Sequence, residues 1–429
     1  MTSDTNSNIP QKFTSSSIQA MTANRSSVVM NMAPQGLTSE STQAAVRSED
    51  STELRAPADY MFARSDFSKE KEKLDEVLNT GVLFRYHAPE AKNIPVAQLE
   101  EKYCELFGYK YALAVNSASS GLLLSLLAAG VKEGDSVLMP AFTFVAVPSS
   151  IVLSGATPVL VEIDESYSMD PEHLEEQIAK YKPKYMMLSY MRGAIPDMDK
   201  ILAIVKKHDI TLIEDIAHAM GVKWKGTQVG TFGQSSVTSF QSHKICDAGE
   251  GGMLGTDDID VFLRAAFLSG CYEANIKKHL IDHPEKEEKI KQYLNKIPPY
   301  NLRMNNMTAA LLFNQFDILE DKADHHREMY KAVFDNLDKT HLTFPPVHPN
   351  TTAVLDSIQF SLSTFSVEQR KEIQAKLNGQ GIPLQVIGLA KDNARVFYNW
   401  KFIDEARIQA DDFPRTKEFI ESMCDLRLP

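Results

Sequence analysis

The stretch NSASSGLLLSLLAAGVKEGDSVLMPAFTFVAVPSSIVLSGATPVLVEID, Asn116 to Asp164, decides the fold class. It opens on "SASSG", a run of capping residues, and the apolar segment behind them closes on Gly130, as helices do. "DSVLMP" and "ATPVLVEID" are short apolar runs separated by a helical "VPSSIVLSG". Runs of that length suit strands buried on both faces of a sheet. The alternation extends in both directions. "KEKLDEVLNTG" reads as a helix ending at Gly81, "YKYALAV" as a strand, and "PEHLEEQIAKY" as a helix with Pro171 in its first turn. "KYMMLSY", "MDKILAIVKKHD" and "ITLIEDI" follow as strand, helix and strand. Strands alternating with helices predict an α/β domain on a mostly parallel sheet, with ligands at the carboxyl ends of the strands. Past Asn301 the chain turns helical, then mixed around "SIQFSLSTF" and "VEQRKEIQAKLNGQG". The expected division is a large domain over 56–315 and a smaller α+β domain over 316–429.

At 429 residues and 43% hydrophobic, the chain can bury a sizeable core. Its net charge of −12 argues against nucleic acid or an anionic membrane as the main partner. No apolar run approaches the ~18 residues that a membrane span needs. The start, "MTSDTNSNIPQKF", lacks the basic n-region and apolar core of a secretory signal. Cys104, Cys246, Cys271 and Cys424 have neither paired nor metal-ligand spacing. They read as free thiols, so the expected location is the cytoplasm and no metal is expected. The first 55 residues are about a third Ser or Thr, with Phe13 as their sole aromatic. Such a segment cannot bury enough surface to order itself, and it is expected to be a disordered tail outside the catalytic unit.

The chemistry gathers around "SFQSHKICDAGEGGMLGTDD", where Lys244 stands between a β-prone run and the glycines of "GEGG". A solvated surface lysine fits there. So does a Schiff-base lysine, which needs partial desolvation and a backbone that lets a bulky cofactor approach. An electron-sink cofactor such as pyridoxal phosphate would also need a phosphate cradle, an aromatic plane and a carboxylate at its pyridine nitrogen. "NSASSG" offers amides and hydroxyls at a helix N-terminus, either an anion site or a plain N-cap. "PAFTFVA" sets Phe142 and Phe144 just past a strand end, as core or as ring partners. "IEDIAHAMG" ends a strand with Glu214 and Asp215. These acids fit a solvated turn, or a charge that keeps a ring nitrogen protonated. His218 fits a structural role or a cofactor contact.

The order of these pieces resembles the DegT-type sugar aminotransferases, from roughly Tyr60 to the end of the chain. Those enzymes have the fold type I architecture of pyridoxal phosphate enzymes. The resemblance implies a large domain with a mostly parallel seven-stranded sheet, plus a smaller C-terminal α+β domain. It makes Lys244 the Schiff-base lysine, Asp215 the partner of the pyridine nitrogen, His218 a neighbour of the ring hydroxyl and Phe144 the aromatic stacked on the ring. Ala118 and Ser119 fall in the phosphate loop, where the family usually has Gly-Thr. Ser239 matches a phosphate-binding serine, and Asn301 an asparagine given to the phosphate by the neighbouring subunit of a homodimer.

The implied reaction moves an amino group, from glutamate in most of the family, to a keto sugar. "TGVLFRYH" resembles the branch that acts on an eight-carbon keto-deoxyoctulosonate, with Arg85 as a carboxylate ligand. Dehydratases of the group carry histidine where transaminases carry lysine; the spacing to "GEGG" selects Lys244 over the adjacent His243. Arg192, in "LSYMRGAIPDM", replaces a neutral residue near the expected substrate mouth. The chain also stops at "CDLRLP", where relatives usually continue through a final helix. A sugar or cyclitol dehydratase or lyase using the same cofactor, and a non-catalytic relative, are the other expectations.

Overall fold

Apolar pentads bounded by turn residues become the strands of one large sheet. The computed structural model describes residues 67–87, 94–280, 286–403 and 410–428, so the expected tail lies outside the described residues. β1 (Tyr111–Val115), β2 (Ser136–Pro140), β3 (Thr157–Val161), β4 (Tyr185–Ser189) and β5 (Thr211–Asp215) each have a half-buried first residue and are fully buried after it. A short hairpin, β6 (Lys223–Trp224) and β7 (Thr227–Gln228), precedes β8 (Ser235–Ser239) and β9 (Gly252–Thr256). The sheet has seven strands in the order β1–β9–β8–β5–β4–β2–β3. Only β9 runs against the rest, antiparallel to both of its neighbours. Helices cover both faces, which is why β1 to β4 are apolar along most of their length. The expected α/β architecture is the one found.

β8 and β9 carry a weaker signal than the others, since "SSVTS" is polar and "GMLGT" rich in glycine. Both are nevertheless wholly buried, because the helix Ala118–Ala129 lies across them. Small residues let that helix approach closely: a Cβ at Gly121 would come within 2.7 Å of Val237.

A second, antiparallel sheet has the order β11 (Ser357–Ser361), β13 (Met423–Arg427), β12 (Leu384–Val386). The two-residue β10 (Thr351–Thr352) pairs with β6 instead. Ile358, Phe360, Val386 and Leu426 of the smaller sheet pack against the helices Leu319–Asp335 and Val367–Gly379. The last helix, Pro414–Ser422, returns to the larger core. Thr416 accepts from the Ile163 amide (3.0 Å) and donates its own amide to Glu162 (2.7 Å), while Phe413 and Ile420 join the cluster over the large sheet. Among the described residues, no helix is long and apolar enough to cross a membrane.

Candidate active site

Strand alternation sends successive side chains to opposite faces, and this separates the two acids that end β5. Glu214 is fully buried. It accepts from the Tyr190 hydroxyl (2.6 Å) and from the amides of Gly230, Phe232 and Gly233 (2.8, 2.8 and 2.7 Å). Burial raises its carboxyl in spite of these donors. Asp215 points the other way. One oxygen accepts from the hydroxyl of Ser189 (2.9 Å), its cross-strand neighbour on β4, and the other from the Ala217 amide (3.0 Å). Burial pushes this carboxyl up too, while Ala217, Ser189 and the charge of Lys244 pull it back. Of the two acids, Asp215 is the one coupled to the lysine.

Lys244 lies on the loop between β8 and β9. The loop is tied at its base by Phe240 N to Gly251 O (2.9 Å) and Ala248 N to Phe240 O (2.9 Å), and higher up by Ser242 N to Gly249 O (3.1 Å). Gly249 takes φ 82°, a left-handed conformation that glycine adopts without penalty. The side chain of Lys244 turns inward, to 2.8 Å between its Nζ and Nε2 of His218. Desolvation lowers its ammonium pKa to about 8, with Asp356 and Asp215 opposing that fall. Burial, and then Lys244, lower His218 to about 3, so its imidazole is neutral. The adjacent His243 is exposed.

A cradle for an anion forms where β1, β9 and β8 lie side by side. Ser117 caps the helix Ala118–Ala129 by accepting from the Ser120 amide (3.1 Å), leaving the amides of Ala118 and Ser119 at the open end of the helix. Gly252 pairs in register with Val115 on one side and Ser239 on the other. A Cβ on Gly252 would come within 2.6 Å of Ala118 N and 2.7 Å of Ser117 C, so glycine is required for this close approach. Ala118, Ser119 and Ser239 thus flank a single glycine. Gly252→Ala is expected to lower stability by about 1–3 kcal/mol, the usual range for overpacking. It should also weaken uptake of a phosphate ester; a thermal melt and a titration of the cofactor-free protein check both effects.

The two phenylalanines separate as well: Phe142 is 1% exposed and part of the core, while Phe144 is 47% exposed just past β2. Asn301 is exposed and precedes Leu302, whose carbonyl accepts from the Asn116 amide (2.9 Å) beside the cradle.

Two arginines differ from expectation. Arg85 is no carboxylate ligand for a substrate. It is 1% exposed, grips both oxygens of Glu100 (2.8 and 2.5 Å) and meets His279 (2.8 Å). Arg192 is buried rather than lining a mouth, and it bonds Asp356 (3.0 Å) and Asp425 (2.5 Å). Ser189, Asp356 and Asp425 escaped the sequence reading. A polar residue ending the strand beside β5 could have flagged Ser189; nothing local flags the two acids.

Among the described residues no cluster of His, Cys, Asp or Glu could hold a metal ion, and the four cysteines are free thiols. The donor set does fit pyridoxal phosphate: an amine of lowered pKa, a buried carboxylate and a glycine-lined anion cradle, all at the carboxyl end of the parallel strands.

Comparison with known proteins agrees with this geometry. The DegT/DnrJ/EryC1/StrS aminotransferase family matches residues 66–428. GDP-perosamine synthase of Escherichia coli O157:H7 is 32% identical over 311 residues, 72% of this chain and 79% of that protein. L-glutamine:scyllo-inosose aminotransferase of Streptomyces griseus is 29% identical over 282 residues, 65% of each. The crystal structure of 3-amino-5-hydroxybenzoic acid synthase superposes with a TM-score of 0.72 at 24% identity, covering 85% of this chain and 92% of that one. A putative sugar aminotransferase from Streptococcus pneumoniae in its PLP form does so with a TM-score of 0.71 at 21% identity, covering 87% and 93%. With the family match running through nearly all the described residues, the chain belongs to the DegT/DnrJ/EryC1/StrS aminotransferases, a family of pyridoxal phosphate-dependent transaminases.

Proposed function

We propose that the protein transfers an amino group from glutamate to a nucleotide-linked keto sugar, in a site shared between two identical subunits. One observation carries the reading: the half-buried Lys244 amine meets His218 at 2.8 Å, feels the charge of the buried Asp215 and is lowered to about 8. Pyridoxal phosphate, when bound, supplies an electron sink for the pair released as a Cα–H bond breaks. The chain does the rest. Lys244 Nζ would hold the cofactor and then carry the proton to and from Cα. Asp215, fixed by Ser189 and Ala217, would hold a proton on the ring nitrogen. Neutral His218 would stand beside the ring hydroxyl. Ala118, Ser119 and Ser239 would receive the phosphate, and Phe144 would cover the ring.

The burial of Arg85 removes the support for an eight-carbon sugar acid. A GDP-linked sugar is favoured instead by the likeness to GDP-perosamine synthase over most of that protein's length. Thiol cysteines favour a reducing compartment such as the cytoplasm. Glutamate alone should convert the visible absorption of the purified protein to that of the pyridoxamine form. Borohydride reduction should leave the cofactor on the peptide that contains Lys244. Labelled glutamate offered with a panel of keto sugars then identifies the acceptor. A protein whose spectrum glutamate and glutamine both leave unchanged would overturn the reading.

The shared site makes its own prediction. Asn301 of one subunit is proposed to reach the phosphate held by the other. Lys244→Ala and Asn301→Ala are then each nearly inactive alone. Refolded together in equal amounts, about half of the dimers are mixed, and one site in each mixed dimer has both residues intact, so roughly a quarter of all sites recover. Mixed dimers confirmed by tagged pull-down yet without recovered turnover would place Asn301 outside the partner's site.

A further inference from the structure

A carboxylate that no motif marked sits behind the histidine that meets the lysine. Asp356 lies one residue before β11. Its Oδ2 accepts from Arg192 Nη1 at 3.0 Å and lies 3.4 Å from His218 Nδ1 and 3.5 Å from Arg427 Nη2. The other ring nitrogen of His218, Nε2, meets Lys244 Nζ at 2.8 Å. While Lys244 is protonated, these contacts fix the tautomer. A lysine ammonium has donors only, so Nε2 must offer its lone pair. The single ring proton is then on Nδ1, directed at Asp356. A second ring proton is opposed by burial and by the charges of Lys244 and Arg192.

Asp356 is itself held in place. Burial would raise its carboxyl, but Arg192, His218 and Arg427 outweigh burial and keep it well below the usual carboxylate range. The remaining nitrogens of Arg192, Nε and Nη2, go to Asp425 Oδ2 at 3.1 and 2.5 Å, and Arg395 Nη1 reaches the same oxygen at 2.6 Å. Asp425 belongs to β13, so the chain of charges runs from the smaller sheet to the lysine.

The backbone reinforces this. Arg192 takes φ 57°, a left-handed conformation costing roughly 1–2 kcal/mol for a residue with a Cβ. A Cβ on the next residue, Gly193, would come within 2.5 Å of Val354 O and 3.2 Å of His218 O. The Arg192 turn, the His218 loop and the segment leading to Asp356 are therefore pressed together, backbone on backbone.

We propose that Asp356, clamped by Arg192, is a positioning residue for the cofactor lysine: it orients the His218 ring so that Nε2 faces Lys244 Nζ. The inference rests on Lys244 carrying the cofactor, as proposed above. It has an electrostatic signature. The charged groups facing Lys244 are Asp356 and Asp215 on one side of the balance and Arg192 and Arg427 on the other, while His218 is titratable but neutral. Losing Asp356 leaves the cations in excess, so Lys244 gives up its proton at lower pH. Losing Arg192 does the reverse.

The test strips the full-length protein of cofactor and follows its absorbance as pyridoxal phosphate is added back at a series of pH values. Wild type should show a reconstitution midpoint near the value of about 8 held by Lys244. Asp356→Asn should lower that midpoint by about one unit, within the range for loss of one nearby opposite charge. Arg192→Gln should raise it. Asp356→Glu, which keeps the charge, should hold the midpoint near that of wild type. Opposite shifts in the two neutral variants are something that packing damage does not produce. Should Asp356→Asn fail to fold, the upward shift of Arg192→Gln decides the matter. Midpoints unchanged, or moved the same way, in a protein that still traps the cofactor on Lys244 would overturn the positioning role. A wild-type protein that traps no cofactor on Lys244 would overturn the underlying reading instead.

Discussion

Lys244→Ala is expected to leave no measurable transamination and a protein that melts no lower than wild type. No other side chain in the site offers an amine that can bond the cofactor, and none replaces it as the carrier of the Cα proton. The loss is in kcat and cannot be recovered by raising either substrate. Stability behaves differently because the lysine is held against its own charge. Its folded pKa is about 8 and its ordinary value 10.5. Between those two values the unfolded chain binds a proton that the folded chain does not, so wild-type stability rises with pH across this window. The alanine variant lacks that rise. Melting curves from pH 7 to pH 10.5 check the stability claim, and a single-turnover assay with glutamate checks the catalytic one. Turnover above a trace would remove Lys244 from the mechanism.

Asp215→Asn keeps the shape of the site and loses its charge. Ala217 still donates to the amide oxygen, and the Ser189 hydroxyl can turn to accept from the new amide nitrogen, so the fold should survive. The ring nitrogen of a bound cofactor would lose the anion that holds its proton, and the electron sink weakens with it. Removal of one preorganised electrostatic group costs about 10²–10³ in kcat, and a loss of roughly 10²-fold or more is expected here. Asp215→Glu, with the charge retained but displaced, should lie between the two forms. Equal kcat for Asp215→Asn and wild type would reduce Asp215 to a turn residue.

β1 to β4 were legible because each is a mostly apolar pentad between turn residues, and β5 because its apolar start follows a helix and ends at a turn. β8 and β9 were less so, since their burial comes from the covering helix and not from their own composition. Lys244, Asp215 and the cradle residues were legible as candidates through their order along the chain, each with a bland alternative beside it. Strand parity resolves Asp215 from Glu214 only once it is known what covers each face of β5. Arg85 went astray because its partner, Glu100, lies 15 residues away on the helix Pro95–Phe107. The clamp around Arg192 was invisible for the same reason on a larger scale. Asp356 and Asp425 lie 164 and 233 residues from it, and no local pattern reports a contact formed only by folding.

The anchoring of Glu214 has a consequence for how errors spread through this site. Side chains on a strand repeat with period two, so a slip of one residue in β5 would exchange the two acids and bring the longer one to the lysine. Three amides of the segment between β7 and β8, together with the Tyr190 hydroxyl, hold Glu214 in its slot. A glutamate that touches no reactant therefore sets the phase of the strand that carries the charge. Single-residue deletions in the turn at Asp209 and Ile210 are accordingly more dangerous to the chemistry than most substitutions there. They change which carboxylate arrives, and not merely how well it fits.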